Sequence, residues 1–374
     1  MKILVTGAIG FIGKGICEAL GRREGVQVLP FTENHDPSEL AGLAAQADAV
    51  IHLAGVNRPP SPEDFDKGNR GLTEELAEAL KAAGNKAKVL ISSSTQAELD
   101  NAYGQSKRAA EEALERLSQE NGNPVAIFRL TNVFGKWAQP NYNSAVATFA
   151  YNIGRGEPVQ VNDPDRVMKL VYIDDVVRAF MEALDEDFTG IRRPHAGPEH
   201  EITLQGIVDL FQSFRDIRTK LTLPDFSDPL VKKLYSSYIS YLEGEDRAYT
   251  LDIKTDERGS LAEFIKRPEV GQIFVSRTKP GITRGNHYHL TKPEKFLVLE
   301  GEAVIRLRRI DSDEVQEHRV SGEDCRVVDM TPGWTHSIEN VGQTTLITLF
   351  WAGEPFDPQN PDTFWVPVLQ DKNP

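Results

Sequence analysis

The first third of the chain alternates short apolar runs with longer segments that have helical periodicity. Runs of this length predict buried strands, and the segments between them predict helices that pack on a sheet. Strands separated by helices are typical of βαβ units, so we expect a doubly wound parallel α/β sheet. The predicted strands are residues 3–5, 26–29, 49–53, 88–91 and 125–128, and the predicted helices include residues 72–83 and 106–119.

The pattern becomes less regular between residue 132 and about residue 242. It ends in two predicted helices, over 204–214 and 230–242, and Thr203 stands where a hydroxyl can cap the first of them. We expect residues 132–245 to form a substrate lobe, so that the first domain covers residues 1–245.

After Gly244 the chain changes to short strands separated by Gly, Pro and Asp. Many short strands divided by turns predict a β-barrel or sandwich. We therefore expect a second, all-β domain over residues 246–374. Its predicted strands are residues 272–276, 296–299, 303–307, 325–328 and 345–350.

Composition and charge limit the kinds of partner that the chain can bind. The net charge of −14 argues against nucleic acid or an anionic membrane surface as a partner. No run approaches the roughly 18 apolar residues of a membrane span, and the apolar start is interrupted by glycines, as in a strand followed by a helix rather than a signal peptide. Cys17 and Cys325 are the two cysteines, which suits a reducing cytoplasm.

Gly7, Gly10 and Gly13 follow the first strand and open the first helix. Glycines at this turn let backbone amides approach a pyrophosphate, which then lies at the positive end of the helix dipole. The backbone at Phe11 and Ile12 belongs to the same predicted dinucleotide site. An isolated glycine turn also fits an ordinary tight turn.

The Gly-x2-Gly-x2-Gly spacing, together with Leu53-Ala54-Gly55 after the third strand, resembles the extended short-chain dehydrogenase/reductases, which have a Rossmann fold. The resemblance implies that Tyr103 and Lys107 form the family's Tyr-x3-Lys pair. On a helix both side chains share one face, where an ammonium can lower the pKa of the phenol. The same spacing also occurs on solvated helix faces.

The resemblance implies two further catalytic residues. Ser94, at the end of the fourth strand, would polarise the substrate carbonyl, with Ser93 as the alternative. Asn69 would hold a water molecule, although an asparagine at this place also fits a helix cap. Thr32 stands where the family binds the cofactor ribose, and Glu33 follows it. We expect NADP(H), mainly because of the resemblance to bifunctional enzymes described below.

Residues 129–135 and 172–176 resemble segments with which nucleotide-sugar members of this family hold a sugar diphosphate. Cations and an amide there would compensate a pyrophosphate in an acidic protein. Asp174 and Asp175 also fit a simple helix cap. The predicted substrate residues are Arg129, Asn132, Arg166 and Lys169, together with Ser94.

His287, His289, Glu294 and His336 have the order and spacing of metal ligands. Three nitrogens and one oxygen suit Zn²⁺, and Ni²⁺, Mn²⁺ or Fe²⁺ fit the same ligands. The motifs Gly281-x5-His-x-His-x4-Glu-x6-Gly301 and Gly-x2-His-x3-Asn340 resemble those of cupins, which are jelly-roll barrels. A metal-free cupin with packed histidines is the alternative.

Residues 256–263 and 284–287 resemble cupin epimerases that act on 4-keto-6-deoxy nucleotide sugars. Those enzymes remove a proton beside a ketone, and a cation bound here would stabilise the enolate that forms. Their base is a histidine at the position of His287, which here is also a predicted metal ligand. Lys295, Tyr288 and a hydroxide on the metal remain alternatives. The histidines outside these motifs are expected to be structural or exposed, and they are His35, His52, His195, His200 and His318.

Over nearly its whole length, including the motif Phe356-Asp-Pro-x-x-Pro361-Asp-Thr, the chain resembles bifunctional capsular-polysaccharide enzymes of the N-acetyl-L-fucosamine pathway. The resemblance implies C3 epimerisation of a UDP-2-acetamido-2,6-dideoxy-4-keto-hexose by the cupin. Reduction of the C4 ketone with NADPH would follow and give UDP-2-acetamido-2,6-dideoxy-L-talose. A homodimer is expected by analogy. The alternatives are a single-step reductase with a non-catalytic cupin and an NADP-sensing regulator.

Overall fold

The computed structural model describes residues 1–61 and 63–370. They divide into two units, of which the first comprises Met1–Gln212 with Phe226–Arg247 and the second comprises Ser213–Asp225 with the chain from Ala248 onward. Among the described residues, no helix has both the length and the apolar character needed to cross a membrane.

The first unit is built on a six-stranded parallel sheet with the order β2-β1-β3-β4-β5-β8. This confirms the predicted doubly wound α/β fold, since the strand order reverses beside β1. The strands are β1 (Lys2–Thr6), β2 (Gln27–Phe31), β3 (Ala49–His52), β4 (Lys88–Ser94), β5 (Val125–Leu130) and β8 (Ile191–Arg192).

Helices cover both faces of this sheet. The first face packs on α1 and α7, and the opposite face packs on α2, α4 and α5. Burial on both faces explains why the strands appear in the sequence as continuous apolar runs. The helices are α1 (Phe11–Gly21), α2 (Glu39–Gln46), α3 (Glu63–Phe65), α4 (Leu72–Ala82), α5 (Ala102–Asn121) and α7 (Ile173–Asp185), and a π-helical turn over Asp66–Gly71 joins α3 to α4.

A small mixed sheet with the order β6-β7-β9 follows. The Oγ1 of Thr203 accepts a 3.0 Å hydrogen bond from the amide of Gly206, which confirms the predicted cap of α8. These elements are β6 (Asn132–Phe134), α6 (Ala145–Arg155), β7 (Val167–Tyr172), β9 (Glu199–Thr203), α8 (Leu204–Lys220) and α9 (Pro229–Ser240).

The second unit contains two antiparallel sheets with the orders β10-β11-β12-β19-β14-β17 and β16-β15-β18-β13-β20. Buried side chains including Phe296, Ile305, Ile338 and Phe350 form its core. This confirms the predicted all-β fold of the C-terminal part of the chain, and the two antiparallel sheets are consistent with a cupin. Its strands are β10 (Ile253–Asp256), β11 (Gly259–Arg267), β12 (Gly271–Thr278), β13 (Thr283–Tyr288), β14 (Glu294–Glu300), β15 (Glu302–Arg309), β16 (Val315–Ser321), β17 (Val327–Met330), β18 (Trp334–Asn340), β19 (Leu346–Ala352) and β20 (Phe364–Trp365).

Two details differ from the sequence interpretation. Residues 213–225, which we placed in the substrate lobe, group with the second unit because Leu221 and Leu223 exchange backbone hydrogen bonds with Lys266 of β11, at 2.8 and 3.0 Å. The strand predicted over 325–328 begins only at Val327, because Cys325 has a left-handed φ of 45°.

Candidate active site and metal centre

The glycine turn after β1 has no room for side chains. A Cβ on Gly13 would lie 2.1 Å from the carbonyl oxygen of Gly7, and a Cβ on Gly7 would lie 2.7 Å from the amide nitrogen of Ala54. Gly10 is the N-cap of α1 and provides no side-chain cap, so the first amides of the helix are available to a ligand. The turn therefore fits the pyrophosphate of a dinucleotide, with Phe11 and Ile12 in the first helical turn.

A buried hydrogen-bond chain leads from this turn toward Asn69. Thr6 Oγ1 accepts from the amides of Leu53 and Ala54 at 3.2 Å and lies 2.7 Å from His52 Nδ1. His52 Nε2 lies 2.9 Å from Thr73 Oγ1, which donates to the Asn69 carbonyl at 2.7 Å. Because Thr73 gives its proton to that carbonyl, it must accept from His52 Nε2.

Thr6 therefore donates to the unprotonated Nδ1 of His52. Burial, aided by the charge of Lys107, lowers the pKa of His52 to about 3 and keeps the ring neutral. The sequence predicted a structural or exposed role for this histidine without its partners. The pairing of His52 with Thr6 depends on the parallel register of β1 and β3, which could have suggested it.

Tyr103, Lys107 and Asn69 lie together at the carboxyl edge of the sheet. The Asn69 side chain accepts from the amide of Val56 at 3.0 Å and donates to the Val56 carbonyl at 3.1 Å. It also donates to Ser106 Oγ at 3.0 Å. Asn69 lies in the π-helical turn, so the helix-cap alternative is not what the structure shows.

Gly55 lies against the same residues. A Cβ there would be 2.7 Å from Asn69 Oδ1 and 2.9 Å from the Lys107 ammonium, so a larger residue would have to displace one of these two side chains. The Lys107 ammonium is buried, lies 3.4 Å from the Ser92 carbonyl oxygen and is 5.9 Å from the centre of the Tyr103 ring. The loop Leu53-Ala54-Gly55 therefore lies directly against Lys107 of the predicted catalytic pair.

The two candidate serines have different partners. Ser94 accepts a hydrogen bond from the amide of Gln96 at 3.2 Å and hydrogen-bonds the Tyr103 phenol. Ser93 donates to the buried carboxylate of Glu111. Since β-strand side chains alternate between faces, only Ser94 points toward the phenol. The structure thus brings Ser94, and not Ser93, to Tyr103.

Burial dominates the protonation of the Tyr-Lys pair. It raises the pKa of the Tyr103 phenol above its usual value, and the hydrogen bond with Ser94 opposes this rise. Burial also lowers the pKa of Lys107 to about 8, against the opposing charge of Glu111. The expected lowering of the Tyr103 pKa by Lys107 is therefore not found in this geometry.

Thr32 follows β2 and is nearly buried. Its Oγ1 lies 3.0 Å from His35 Nδ1, and its amide donates to the same nitrogen at 3.2 Å. Since Nδ1 accepts from the amide, the Thr32 hydroxyl is the second donor to it. The turn that follows β2 is thus held by His35, a residue expected only to be structural or exposed.

The predicted substrate residues do not form one cluster. The Arg129 guanidinium binds Glu111 at 2.6 Å and Glu98 at 2.8 Å. Asn132 donates to the Lys169 carbonyl at 3.0 Å, and the Lys169 ammonium lies 3.5 Å from Glu201. Arg166 is exposed.

Asp174 and Asp175 are not helix caps in the structure. The N-cap of α7 is Tyr172, and no side chain caps the helix. Asp174 pairs with Lys136 at 2.5 Å, and the buried carboxylate of Asp175 pairs with Lys233 at 2.7 Å. These contacts fix the start of α7.

The four predicted metal ligands meet inside the second unit. Their ligand atoms all lie within 4.8 Å of one another. The Oε2 of Glu294 is 3.4 Å from His289 Nε2 and 3.2 Å from His336 Nε2. The centre of the His287 ring lies 4.9 Å from the centre of the His289 ring and 4.7 Å from that of the His336 ring. Three strands, β13, β14 and β18, supply or flank these ligands.

The cluster passes a chemical test for a metal site. His289 Nε2 and His336 Nε2 are buried and make no well-aligned hydrogen bond, although both face the Glu294 carboxylate. A buried polar atom without a partner is unfavourable unless a ligand satisfies it. Converging imidazole nitrogens and a carboxylate are ligands that Zn²⁺ accepts.

The protonation states of His287 and Glu294 also suit the binding of a metal cation. Burial, with the neighbouring charges of His336 and His289, lowers the pKa of His287 to about 4. Burial would raise the pKa of Glu294, but the two histidines outweigh it and hold that pKa far below its usual value. His287 follows a β-bulge at which Asn286 has a left-handed φ of 62°, and this bulge turns the imidazole into the cluster.

Two of the alternative bases lie in distinct settings. The Lys295 ammonium is exposed and pairs with Asp329 at 2.5 Å. The Tyr288 ring stacks on Phe364 with centroids 5.2 Å apart. Neither side chain belongs to the ligand cluster.

Two protein-family models match the chain. The NAD dependent epimerase/dehydratase family matches residues 3–193, which is about half of the chain. The polysaccharide biosynthesis C-terminal domain matches residues 254–364. The chain belongs to the NAD-dependent epimerase/dehydratase family. Membership confirms the prediction of a nicotinamide dinucleotide as cofactor.

Similarity to two proteins extends over nearly the full length. The UDP-2-acetamido-2,6-beta-L-arabino-hexul-4-ose reductase of Pseudomonas aeruginosa is 44% identical over 364 residues, 97% of this chain and 98% of the relative. The capsular polysaccharide assembling protein CapF from Staphylococcus aureus is known from a crystal structure. Its sequence is 42% identical, and the TM-score is 0.92 over 98% of this chain and 100% of that chain.

These similarities confirm the predicted resemblance, and the chain is a nucleotide-sugar enzyme of the capsular-polysaccharide group. The UDP-glucuronic acid 4-epimerase of Bacillus cereus, solved with NAD, is 21% identical with a TM-score of 0.52. It covers 57% of this chain and 83% of its own, and shows only that the first unit shares its fold.

Proposed function

We propose that the chain converts a UDP-2-acetamido-2,6-dideoxy-4-keto-hexose in two steps. The cupin unit inverts C3, and the α/β unit then reduces the C4 ketone with NADPH to give UDP-2-acetamido-2,6-dideoxy-L-talose. The similarity over 97% of the chain to a UDP-sugar 4-ulose reductase supports the reduction. A cytoplasmic homodimer with NADP(H) and Zn²⁺ completes the proposal.

In the reduction, NADPH supplies the hydride that reaches C4. The glycine turn with Phe11 and Ile12 would hold the pyrophosphate, Thr32 would bind the ribose, and the loop Leu53-Ala54-Gly55 would complete the cofactor site. Ser94 donates a hydrogen bond to the C4 oxygen. Tyr103 gives its phenolic proton to the alkoxide that forms there, and its raised pKa keeps that proton on the phenol beforehand.

Lys107 and Asn69 support this proton transfer. Burial outweighs Lys107 in setting the pKa of the free phenol, and we assign its ammonium to the negative charge that develops on Tyr103 during proton transfer, since the two groups share one face of α5. Asn69 holds the loop at Val56 and thereby fixes the position of Gly55. Asn132, Arg166 and Lys169 are proposed at the sugar diphosphate, where exposed cations can meet an anion.

In the epimerisation, His287, His289, Glu294 and His336 would hold the metal. Bound there, a divalent cation would supply positive charge to the oxygen of the enolate that forms when a base takes the C3 proton, and inversion is completed when a proton returns to C3 from the opposite face. The chain's own contribution is a ligand set that is buried and already oriented, so little reorganisation accompanies metal binding.

The order of steps follows from the substrate. The C3 hydrogen is acidic only while the C4 ketone is present, so reduction must come second. One observation carries the two-site proposal, namely that one chain holds a Ser-Tyr-Lys constellation and, separately, a buried His3Glu cluster with two unpartnered Nε2 atoms.

The test is product identification. Purified protein is incubated with the UDP-4-keto sugar and NADPH, and the product is identified by NMR and mass spectrometry. The proposal predicts a 6-deoxy-talose configuration. A product that keeps the C3 configuration of the substrate would contradict epimerisation by this chain, and no NADPH oxidation would contradict the reduction.

A second candidate is a single-step 4-keto reductase with a non-catalytic cupin. It is favoured by the name of the P. aeruginosa relative, which states only a reduction. His289→Ala distinguishes the two candidates. The two-step enzyme loses C3 inversion, whereas the single-step reductase gives an unchanged product.

A further inference from the structure

The C-terminal motif at Phe356–Thr363 contains an aspartate that contacts the metal cluster. We propose that Asp362 is a positioning residue that orients His289 toward the metal and fixes the loop between His289 and Glu294. This inference rests on the metal centre of the proposed function and assigns a role to a residue outside the ligand set.

The backbone of Asp362 determines the tautomer of His289. The Nδ1 of His289 hydrogen-bonds the carbonyl oxygen of Asp362. A carbonyl oxygen can only accept, so Nδ1 carries a proton and Nε2 of the neutral ring has a free lone pair. That Nε2 is the buried, unpartnered atom that faces Glu294. The same contact also fixes the plane of the ring.

The carboxylate of Asp362 fixes the loop that follows His289. It accepts from the amides of Leu290, Thr291 and Lys292 at 2.8, 2.9 and 3.1 Å and from the Thr291 hydroxyl at 3.1 Å. Three successive amides on one carboxylate hold a short loop in a single conformation. The loop joins two metal ligands, so its conformation sets the distance between them.

The chain after Asp362 holds a third ligand. β20 pairs with β13, with Trp365 opposite His287. Asn286, which forms the bulge before His287, accepts from the amides of Val366 through its carbonyl at 2.9 Å and of Val368 through Oδ1 at 3.1 Å.

The far end of this segment is anchored to the barrel. The buried guanidinium of Arg308 donates to the carbonyls of Val368 and Pro367 at 2.9 and 2.8 Å. The segment that carries Asp362 is therefore anchored at Asp362 itself, by the loop after His289, and again at residues 366–368, by Asn286 and Arg308. Groups that hydrogen-bond a metal ligand in this way contribute about ten- to hundredfold to metal affinity.

The test uses the full chain and Co²⁺ as a probe with a visible spectrum. Asp362→Asn keeps the backbone carbonyl and removes the charge, and Asp362→Ala removes the side-chain acceptors. The control is Asp357→Asn, whose carboxylate, among the residues that the structure describes, accepts hydrogen bonds from the nearby Gln359 and Asn360 in the same segment. We measure Co²⁺ affinity by chelator competition and the ligand-field absorption bands.

Both variants keep the carbonyl that binds His289 and act by loosening the loop, so the proposal predicts that Asp362→Asn weakens Co²⁺ binding by several-fold and Asp362→Ala by about tenfold, the lower end of the effect of losing a direct hydrogen bond to a ligand. Both variants should shift the absorption bands, whereas Asp357→Asn should match the wild type. If Asp362→Ala does not fold, Asp362→Asn decides alone. Wild-type affinity and spectrum in a folded Asp362→Asn overturn the inference.

A wild-type chain that binds no stoichiometric Co²⁺ would contradict the metal centre itself. A wild-type chain that binds Co²⁺ while Asp362→Asn binds it equally well would contradict only the role of Asp362.

Discussion

Arg129 and Glu111 form an ion pair with several hydrogen bonds, close to the strand that ends at the predicted catalytic Ser94. Arg129 Nη2 lies 2.6 Å and Arg129 Nε 3.0 Å from the Glu111 carboxylate, which also accepts from Ser93. The pair joins β5 and α5 beside the strand that ends at Ser94. The motif that contains Arg129 predicted a substrate contact, and the structure instead gives this side chain a buried partner.

Arg129→Ala should destabilise the first unit by on the order of 3 kcal/mol, because the Glu111 carboxylate is only 2% exposed and would lose the guanidinium that is hydrogen-bonded to it. Adding Glu111→Leu should recover part of that loss. Chemical denaturation of both variants checks this. An unchanged stability with a raised KM for the sugar would show that Arg129 serves the substrate.

The alkaline limit of reduction should follow Lys107. Its pKa is about 8, and Glu111 holds it up against burial. Glu111→Gln should therefore lower the pKa of Lys107, so that activity declines at a lower pH as the ammonium loses its proton. The pH profile of kcat/KM measures this. The exposed Glu112→Gln is the control, and identical alkaline limits in both variants would contradict the coupling.

Gly104 allows α5 to approach the turn that follows Ser94. A Cβ on Gly104 would lie 2.1 Å from the carbonyl oxygen of Gln96 and 2.8 Å from that of Leu99. Gly104→Ala should destabilise the protein by about 1–3 kcal/mol and reduce turnover, since Tyr103 is the next residue.

The matched control is Gly42→Ala. Gly42 lies in α2, and a Cβ placed on it would have nothing within 4 Å, so alanine should stabilise by about 0.5–1 kcal/mol. Thermal denaturation compares the two variants. Equal tolerance of alanine at both sites would show that the close approach of α5 is not required.

His52 should make the free energy of unfolding depend on pH in the acidic range. Its pKa is about 3 in the folded chain and 6.5 ordinarily, so the unfolded chain binds more protons between these values. Stability due to His52 is present above pH 6.5 and falls as pH decreases toward 3, by at most about 1.4 kcal/mol per pH unit. His52→Gln should flatten this slope, whereas the exposed His195→Gln should leave it unchanged. Denaturation at several pH values measures the slopes.

Metal removal should lower the stability of the barrel. A ligand that binds only the folded state stabilises it by mass action, so chelation should reduce the melting temperature of the wild type. Glu294→Gln should lose most of this metal-dependent shift. Lys295→Gln, next to it but exposed and paired with Asp329, should keep the shift. Calorimetry with and without chelator compares them, and equal shifts would remove Glu294 from the ligand set.

Much of the fold could be predicted because buried parallel strands, helices and short antiparallel strands each leave a different pattern of apolar residues in the sequence. The strands of the first unit are buried on both faces and form apolar runs, and those of the second unit are short and divided by turns. Positive φ at Cys325 was not predictable in this way, because a single left-handed residue leaves no periodic pattern.

The site was predictable where ligands or catalytic residues lie close in sequence. His287, His289 and Glu294 share one segment, and Tyr103 and Lys107 share one helix. The contacts of Arg129 with Glu111, His52 with Thr73 and His289 with Asp362 join distant residues and depend on tertiary packing. Those partners have no characteristic spacing, so the sequence did not predict them.

If one ketone serves two sites in succession, the C3 hydrogen must exchange with solvent before any reduction takes place. The UDP-4-keto sugar is incubated with metal-loaded protein in D₂O without NADPH, and deuterium is located by NMR. We expect incorporation at C3 by the wild type and by Tyr103→Phe, and none by His289→Ala. Absence of deuterium at C3 with the metal-loaded wild type would show that this chain does not epimerise C3.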